Sequence, residues 1–430
     1  MSVSMSRVAL AATVGTVIEW YDFFLYGTAA ALVFNKLFFP GVDALSGVLL
    51  SFATYATGFL ARPLGGVICG HFGDRLGRRA ILQLTLVLMG VSTFAVGLLP
   101  TYHSVGVLAP VLLVLLRILQ GLATGGEFGG AALLTVEHAK ARRGFWGSLL
   151  TVGILLGLVL GTLAFSVFDG MGQASFLSWG WRVPFLISVV LVALGYYIRR
   201  RVEETPEFAE VKRDRQQARR PVVEVLRAPR NVLAILGIRL AENSSFYIYS
   251  VFVLAYVTQF LHLSKSLILT AVMVAAAVEC VTAIGFGVLA DRIGSRPVMR
   301  AGLVFQVVFA FPFFWLLNTT APAAVFLAVT AGMAVGNGAV SAVEPDFFAR
   351  FFPAGTRYSG ISIGRESGTI IGGGLFPLAA TALLAATHTS WPIALIMAAC
   401  SVLGLAALGV AREHEDDPAS RTPAQAHEAA

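Results

Sequence analysis

The chain has 430 residues, of which 57% are hydrophobic and only 13% are charged, and its mean hydropathy is +0.78. This composition excludes an ordinary soluble domain and indicates a protein that folds in lipid. The net charge of +7 does not indicate a nucleic-acid partner, because the basic residues concentrate in alternate loops, as membrane topology requires.

The first half of the chain contains six apolar stretches, each long enough to cross a hydrocarbon core of about 30 Å. The first stretch carries Glu19 and Asp22 and meets no cleavage pattern, so we interpret it as a retained span rather than a secretory signal. We expect helices over approximately 8–34, 45–69, 80–99, 105–136, 145–168 and 183–199.

A ten-residue phrase follows the second predicted helix and returns later in the chain. It reads GHFGDRLGRR at residues 70–79 and GVLADRIGSR at residues 287–296, an offset of 287 − 70 = 217 residues. A repeat at about half the chain length predicts two similar membrane halves, which is typical of transporters.

The repeated phrases combine glycines, which permit tight reversals, with Asp-Arg pairs, which can bind charges or helix ends on neighbouring segments. We therefore predict that both loops gate the protein, with a simple cytoplasmic anchor as the alternative. The predicted gating residues are Gly70, Asp74, Arg75, Gly77, Arg79, Asp291, Arg292, Gly294 and Arg296.

A polar segment at 201–230 separates a predicted N-terminal six-helix bundle at 1–200 from a C-terminal six-helix bundle at 231–411, and its mixed Glu and Arg predict a solvated linker. Residues 412–430 lack apolar periodicity and predict a disordered tail. The cations in alternate loops predict that both termini lie in the cytoplasm and that the protein belongs to the inner membrane.

The second half is expected to contain six further helices, over approximately 232–261, 266–290, 298–317, 323–348, 359–384 and 392–410.

The paired Gly-x-x-x-Asp-Arg-x-Gly-x-Arg phrases resemble the cytoplasmic loop signature of the major facilitator superfamily. Within it, residues 15–27, 61–66, 117–127 and 179–185 resemble the metabolite:proton symporter family, which carries shikimate, 2-oxoglutarate, citrate, and proline or betaine. The resemblance implies twelve transmembrane helices in two pseudo-symmetric bundles and proton symport by alternating access. Residues 239–242, 310–314, 357–360 and 372–374 are similar to the shikimate-carrying branch, whereas Glu344, Arg365 and Glu366 depart from it and leave a dicarboxylate or tricarboxylate open.

Several ionisable side chains fall inside the predicted spans. Each would cost roughly 2.5–3.5 kcal/mol if it faced hydrocarbon alone, so these groups must line water or pair with one another. They are Glu19, Asp22, Arg62, Arg117, Glu127, Arg239, Glu242, Glu279, Arg365 and Glu366.

Three of these carboxyl groups are candidates for proton coupling. Glu19, Asp22 and Tyr26 have the spacing i, i+3 and i+7, so they share one helical face, and Asp22 lies near the membrane midplane. Burial favours the neutral form of a carboxyl group, whereas a nearby cation opposes it, so protonation and substrate binding can be coupled. We predict coupling at Asp22 before Glu19, with structural hydrogen bonds as the alternative. Glu127 fits a proton role and close packing among glycines equally well.

Arg117 is the leading substrate-binding candidate, because a guanidinium offers a planar fork to a carboxylate. It either binds an acid group of the substrate or holds Asp22 until substrate competes, and a permanent structural pair is the alternative. Arg62, beside Pro63, is expected to anchor a span end. The other predicted substrate contacts are Gln120, Tyr26, Arg239, Asn243, Tyr247 and Arg365, with internal pairing of Arg239 to Glu242 and of Arg365 to Glu366 or Glu344 as the alternative.

These features predict a monomeric carrier that takes up a small organic acid together with protons. Uptake of a zwitterion such as proline or betaine, and uncoupled facilitation or export, are the alternatives. Because Cys69, Cys280 and Cys400 are dispersed and no nucleophile elbow or phosphate loop occurs in the sequence, we expect no enzymatic activity, no metal and no cofactor.

Overall fold

The computed structural model describes residues 5–42, 44–139, 141–169, 172–199, 221–227 and 229–414. Within these ranges the chain is almost entirely helical and contains no strand. Most of the predicted linker, at 201–220, and most of the predicted tail, at 415–430, lie outside the described residues.

The first half contains six long helices. Helix α1 covers 5–37 and includes a π-helical stretch, Ala30–Phe34. The others are α2 (Ala44–Leu76), α3 (Arg78–Leu98), α4 (Leu108–His138), α5 (Arg143–Asp169) and α6 (Arg182–Arg199).

The second half repeats this arrangement, and three of its helices contain π-helical stretches. Helix α7 covers 229–260, α10 covers 322–341 and α11 covers 357–387, with π-helical turns at Ile248–Phe252, Tyr256–Phe260, Gly332–Asn337 and Ile370–Leu375. The others are α8 (Lys265–Ile293), α9 (Ser295–Asn318) and α12 (Trp391–Val410). Short helices occur at Tyr102–Val105, Pro221–Arg227 and Glu344–Ala349.

Nine helices in the described part of the chain are long and apolar enough to cross a membrane, and α2, α7 and α11 add three runs of comparable length. The total agrees with the twelve spans expected from the sequence. Most predicted boundaries differ by only a few residues, because apolar length and the polar breaks between spans are local properties.

The contacts between helices repeat with a shift of six helices. Helix α1 packs on α5 as α7 packs on α11, α2 packs on α4 as α8 packs on α10, and α3 packs on α6 as α9 packs on α12. Two equivalent contacts join the halves, α2 with α11 and α5 with α8. This pattern is the pseudo-two-fold symmetry that the repeated loop phrase predicted.

Glycines bring α2 and α4 into backbone contact. A Cβ added to Gly65 would lie 2.1 Å from the Leu122 carbonyl oxygen, and one added to Gly125 would lie 2.0 Å from the Arg62 carbonyl oxygen. Only residues without a side chain permit this approach. The contact holds the buried cations of α2 and α4 side by side inside the first half.

Candidate transport site

Arg117 lies in an aromatic cage inside the first half. Its guanidinium carbon is 4.4 Å from the ring centre of Tyr26 and 4.8 Å from that of Tyr55, and the residue is only 4% exposed. Its Nη1 donates to Gln120 Oε1 at 3.2 Å, while its Nε is buried without a hydrogen-bond partner. No carboxylate in the described part of the chain forms an ion pair with it. The cage therefore holds a cation with hydrogen-bonding capacity to spare.

Asp22 lies behind Arg117, with Gln120 between them. The Gln120 amide donates to Asp22 Oδ1 at 3.0 Å, and the Thr93 hydroxyl donates to the same oxygen at 2.6 Å. The direct Arg117–Asp22 pair considered from the sequence is not formed, because the carboxamide of Gln120 accepts from one partner and donates to the other. Such a bridge can relay a change at one group to the other.

A chain of buried ion pairs joins the two halves through Arg62. Its Nη2 is 3.0 Å from Glu19 Oε1 in the first half, and its Nε is 2.7 Å from Glu366 Oε2 in the second. The expectation that Arg62 anchors a span end was wrong. Helix α2 continues through Pro63 to Leu76, which places Arg62 in the helix interior at 3% exposure.

The chain continues in the second half. Arg365 Nη1 is 2.9 Å from Glu366 Oε1, and its Nε is 3.9 Å from Glu344 Oε2. Glu344 Oε2 also lies 3.2 Å from Arg239 Nη1, and the Arg239 guanidinium contacts Glu242. The internal pairing considered from the sequence is therefore present in this conformation. The Arg365 guanidinium also packs on the Phe128 ring of the first half, at 3.5 Å.

The charges of this chain do not balance. Its carboxyl groups are Glu19, Glu242, Glu344 and Glu366, whereas its guanidinium groups are those of Arg62, Arg239 and Arg365. Four carboxylates against three guanidinium groups leave one negative charge, and a buried network is costly unless it is neutral. One bound proton would neutralise it.

The other predicted site residues line the same region. Asn243 donates to Thr369 Oγ1 at 3.1 Å, but its Oδ1 and the Tyr247 hydroxyl are buried without hydrogen-bond partners. Tyr26 forms a hydrogen bond of 2.9 Å with Thr54, and Glu127 accepts from Thr85 at 3.0 Å. Tyr55 was not predicted from the sequence. The signal that the sequence offered was the spacing of four residues between the aromatic residues Tyr55 and Phe59, which places them on one helical face.

The two aspartates of the repeated phrases, which were expected in loops, lie in the last turns of α2 and α8, and each binds the start of a helix in the opposite half. Asp74 accepts from the backbone N–H of Tyr358 at 3.2 Å and of Ser359 at 2.9 Å, at the start of α11. Asp291 accepts from the backbone N–H of Gly144 at 2.7 Å and of Phe145 at 3.0 Å, at the start of α5. A carboxylate at a helix N-terminus is favoured by both the free N–H groups and the helix dipole.

The remaining loop residues have different environments. Gly77 and Gly294 have φ angles of 113° and 92°, which favour glycine, and a Cβ on Gly70 would lie 2.7 Å from Ser359 Cα. Arg296 donates to the Leu408 carbonyl oxygen at 2.8 Å, at the end of α12. Arg75 and Arg292 are exposed, and Arg79 is half-buried.

A further contact between the halves was missed from the sequence. Arg357 Nη1 is 3.2 Å from Glu137 Oε1, and the Tyr358 hydroxyl donates to the Gly126 carbonyl oxygen at 2.6 Å. Together with the two aspartate caps, these contacts close the molecule at the end that carries the repeated loops, which we call the motif face.

The comparisons with known proteins agree with this architecture. A family model described as Major Facilitator Superfamily matches residues 12–364 and 245–429. The chain is 42% identical over 412 residues to the shikimate transporter of Escherichia coli (strain K12), covering 94% of this chain and 93% of that protein. It is 33% identical over 417 residues to the proline/betaine transporter of the same strain, covering 93% and 82%.

Solved structures show the same fold. The proton:xylose symporter XylE, bound to 6-bromo-6-deoxy-D-glucose, matches with a TM-score of 0.74 at 16% identity, covering 94% of each chain.

A further sequence relative, the inner membrane metabolite transport protein YhjE of Escherichia coli (strain K12), is 37% identical over 429 residues, covering 95% of this chain and 94% of that protein. The chain therefore belongs to the major facilitator superfamily and is a membrane transporter rather than an enzyme.

Proposed function

We propose that the protein takes up a small organic acid together with protons, and that its preferred substrate is a hydroxylated cyclic monocarboxylate of the shikimate type. The observation that carries the proposal is the environment of the buried Arg117 guanidinium, whose Nε has no partner and which forms no ion pair with any carboxylate that the structure describes. A substrate carboxylate would supply the missing anion. The shikimate transporter at 42% identity supports the same substrate class.

The groups around Arg117 suit a ring that carries hydroxyls. The flat rings of Tyr26 and Tyr55 lie on the first-half side, and Phe59 connects Tyr55 to Tyr247 on the other side, with ring centres 5.4 and 6.4 Å apart. The free Tyr247 hydroxyl and Asn243 Oδ1 can bond substrate hydroxyls. Arg365 is already ion-paired with Glu366, whereas Arg117 pairs with no carboxylate in the described part of the chain, so our proposal assigns one carboxylate receptor and favours a monocarboxylate over a tricarboxylate.

In this proposal, protons bind at two places, Asp22 and the ion-pair chain. Substrate binding to Arg117 alters its bond to Gln120, which also holds Asp22, so we assign coupling to Asp22 first. Glu19 belongs to the ion-pair chain that lacks one positive charge, and Glu127 lies near it. Neutralising this chain with a proton favours the closed motif face seen here, because Arg62–Glu366 joins the halves.

The topology follows from the loops. The Lys- and Arg-rich loops lie on the motif face, so that face is cytoplasmic in our proposal, together with both termini. The two bundles, at 1–200 and 231–411, then move about the substrate as a monomeric alternating-access carrier in the inner membrane.

Proteoliposome uptake tests the proposal. Labelled shikimate, citrate, proline and betaine are offered to the purified protein with and without an inside-alkaline pH gradient. We expect gradient-driven accumulation of shikimate, abolished by a protonophore. Equal uptake without the gradient would instead identify an uncoupled facilitator, and preference for betaine would identify a zwitterion carrier.

The zwitterion alternative has one structural argument in its favour, since aromatic cages bind quaternary ammonium groups. In this protein the cage formed by Tyr26 and Tyr55 is already filled by the Arg117 guanidinium. A second cation in the same cage would be repelled. The anionic substrate is therefore preferred.

A further inference from the structure

Glu279 is a buried carboxyl group that lies outside the ion-pair chain. It belongs to α8, is fully buried, and accepts one hydrogen bond of 2.7 Å, from Asn337 Nδ2 to its Oε1. Its Oε2 is buried without a hydrogen-bond partner. Among the residues that the structure describes, no Lys or Arg forms an ion pair with it.

The surroundings of Glu279 do not stabilise a negative charge. Helix α10 presents uncharged groups to it, Asn337 and Gly338, whose added Cβ would lie 3.4 Å from Glu279 Cγ. Among the residues described, the charged group that acts on Glu279 is Glu242 of α7, whose negative charge would repel a second one, and the chain neighbour Cys280 is a thiol. An ionised carboxylate with one neutral donor is costly in such a place, whereas a carboxylic acid is not.

The partner of Glu279 ends a π-helical stretch. Asn337 is the last residue of Gly332–Asn337 in α10, and two carbonyl oxygens of this stretch accept from side chains. Thr282 donates to Ala334 O at 2.6 Å, and Gln306 donates to Gly336 O at 3.0 Å. Local π-helical turns mark places where a helix changes its hydrogen-bond register, often at functional sites.

A change of register in this stretch would move Asn337. Return to α-helical geometry rotates the following residues by about 100°, the angle per residue of an α-helix. Asn337 Oδ1 and the Ser341 hydroxyl, one turn later, are buried and have no hydrogen-bond partner in the part of the chain that the structure describes. After such a rotation, these two polar groups of α10 can form new hydrogen bonds where α10 contacts Glu279.

We propose that Glu279 is an additional proton-binding site, separate from Arg117, Asp22 and the ion-pair chain. A proton from water forms the O–H bond at Glu279 Oε2 when α8 and α10 pack as described. The proton returns to water when the π-helical stretch of α10 changes register during transport. The inference rests on the proposed proton-coupled transport and adds one proton to its stoichiometry.

The test measures the proton:substrate ratio in proteoliposomes. The pH gradient that just balances a fixed gradient of labelled shikimate is determined for the wild type, Glu279→Gln and Thr282→Val. Glutamine mimics the protonated acid, so we expect Glu279→Gln to keep transport with a ratio lower by one proton. Thr282→Val removes a hydroxyl from the same contact without removing a titratable group, so its ratio should equal that of the wild type.

Infrared difference spectroscopy gives an independent reading of the proton itself. We expect the wild type at neutral pH to show a protonated-carboxyl band that changes on substrate addition and is missing in Glu279→Gln. Should that variant fail to fold, Glu279→Asp should shift the band. An unchanged ratio in Glu279→Gln, a band unaffected by both variants, or uptake that requires Na⁺ in place of this proton would overturn the assignment. A wild type without any proton coupling would instead refute the proposed function, while the infrared band would still decide whether Glu279 holds a proton.

Discussion

Arg117 illustrates how a single buried charge indicates a ligand. The Arg117 guanidinium is 4% exposed and has no ion-pair partner among the residues described, so it has lost much of its hydration without an equal gain from protein contacts. The contacts with Tyr26 and Tyr55 recover part of the cost through cation–π attraction. In our proposal the substrate carboxylate binds here and compensates for the rest of the cost.

Arg117→Lys should weaken substrate binding while leaving the protein folded. Lysine keeps the charge but loses the planar fork, and one charge-assisted hydrogen bond corresponds to about 1.5–3 kcal/mol. We expect the apparent affinity for shikimate to fall by about 10- to 100-fold in proteoliposome uptake. Arg300→Lys is the matched control, because Arg300 is exposed on α9. Equal affinity in the two variants would remove Arg117 from the site.

Asp22→Asn should separate coupling from binding. Asparagine retains an oxygen that can accept from Thr93 and Gln120, but it cannot exchange a proton. We expect gradient-driven accumulation to be lost while substrate counterflow persists. Tyr26→Phe serves as the comparison, since it removes a hydroxyl from the same region and should alter affinity without altering coupling. Driven uptake in Asp22→Asn would exclude Asp22 as the coupling group.

The contact between α2 and α4 shows what a pair of helices contributes. Their glycines allow backbone contact, and this contact holds the interior face of α2, with Arg62, against the face of α4 that carries Arg117. Even a methyl group in place of a glycine hydrogen at Gly65 or Gly125 would fit only if α2 and α4 moved apart. The position of the cations therefore depends on small residues that have no chemistry of their own.

Gly65→Ala should destabilise the protein, because the added Cβ would lie 2.1 Å from the Leu122 carbonyl oxygen. Overpacking of this kind typically costs about 1–3 kcal/mol. We expect a lower unfolding temperature in detergent and reduced uptake. Gly285→Ala is the control, since a Cβ there meets no atom within 4 Å. If both variants unfold at the wild-type temperature, the backbone contact is not tight.

At the scale of the whole molecule, polar contacts near the motif face join the two halves. Asp74 and Asp291 occupy equivalent places in the repeat, and each binds the start of a helix in the opposite half. The caps therefore stabilise one arrangement of the halves rather than either half alone. Deeper in the molecule, Arg62 joins Glu19 of the first half to Glu366 of the second. Separation of the halves at the motif face would therefore also strain or break the Arg62–Glu366 ion pair.

Asp74→Asn combined with Asp291→Asn should shift the protein towards an open motif face. Loss of the two charged caps removes about 0.5–2 kcal/mol each from the closed state. The measurement is thiol labelling of Ser362→Cys, a buried position on α11 near Gly66 of α2, in a variant without native cysteines. We expect faster labelling in the double variant than with the exposed control Glu224→Gln. Unchanged labelling would show that the caps do not hold the motif face closed.

The sequence predicted the number of helices, the two-fold repeat and the list of buried ionisable groups. These features are local, because apolar length and spacing along one helix depend only on neighbouring residues. It also named Arg117 and Gln120 as substrate-binding candidates and considered a contact between Arg117 and Asp22, and in the structure Gln120 bridges Arg117 and Asp22. Whether they bind substrate and protons stays a prediction.

Only the tertiary structure decided which charges meet. Arg62 was expected to anchor a span end, but packing of α2 on α11 places it against Glu366, 304 positions later in the chain. The Asp74 cap on Ser359 depends on a helix that is distant in sequence, and the hydrogen bond from Asn337 to Glu279 depends on the register of a π-helical turn. The sequence determined which charges enter the membrane, since hydrophobic length is additive along the chain. The fold alone determined how they are neutralised, since pairing requires contacts between helices whose order no local pattern encodes.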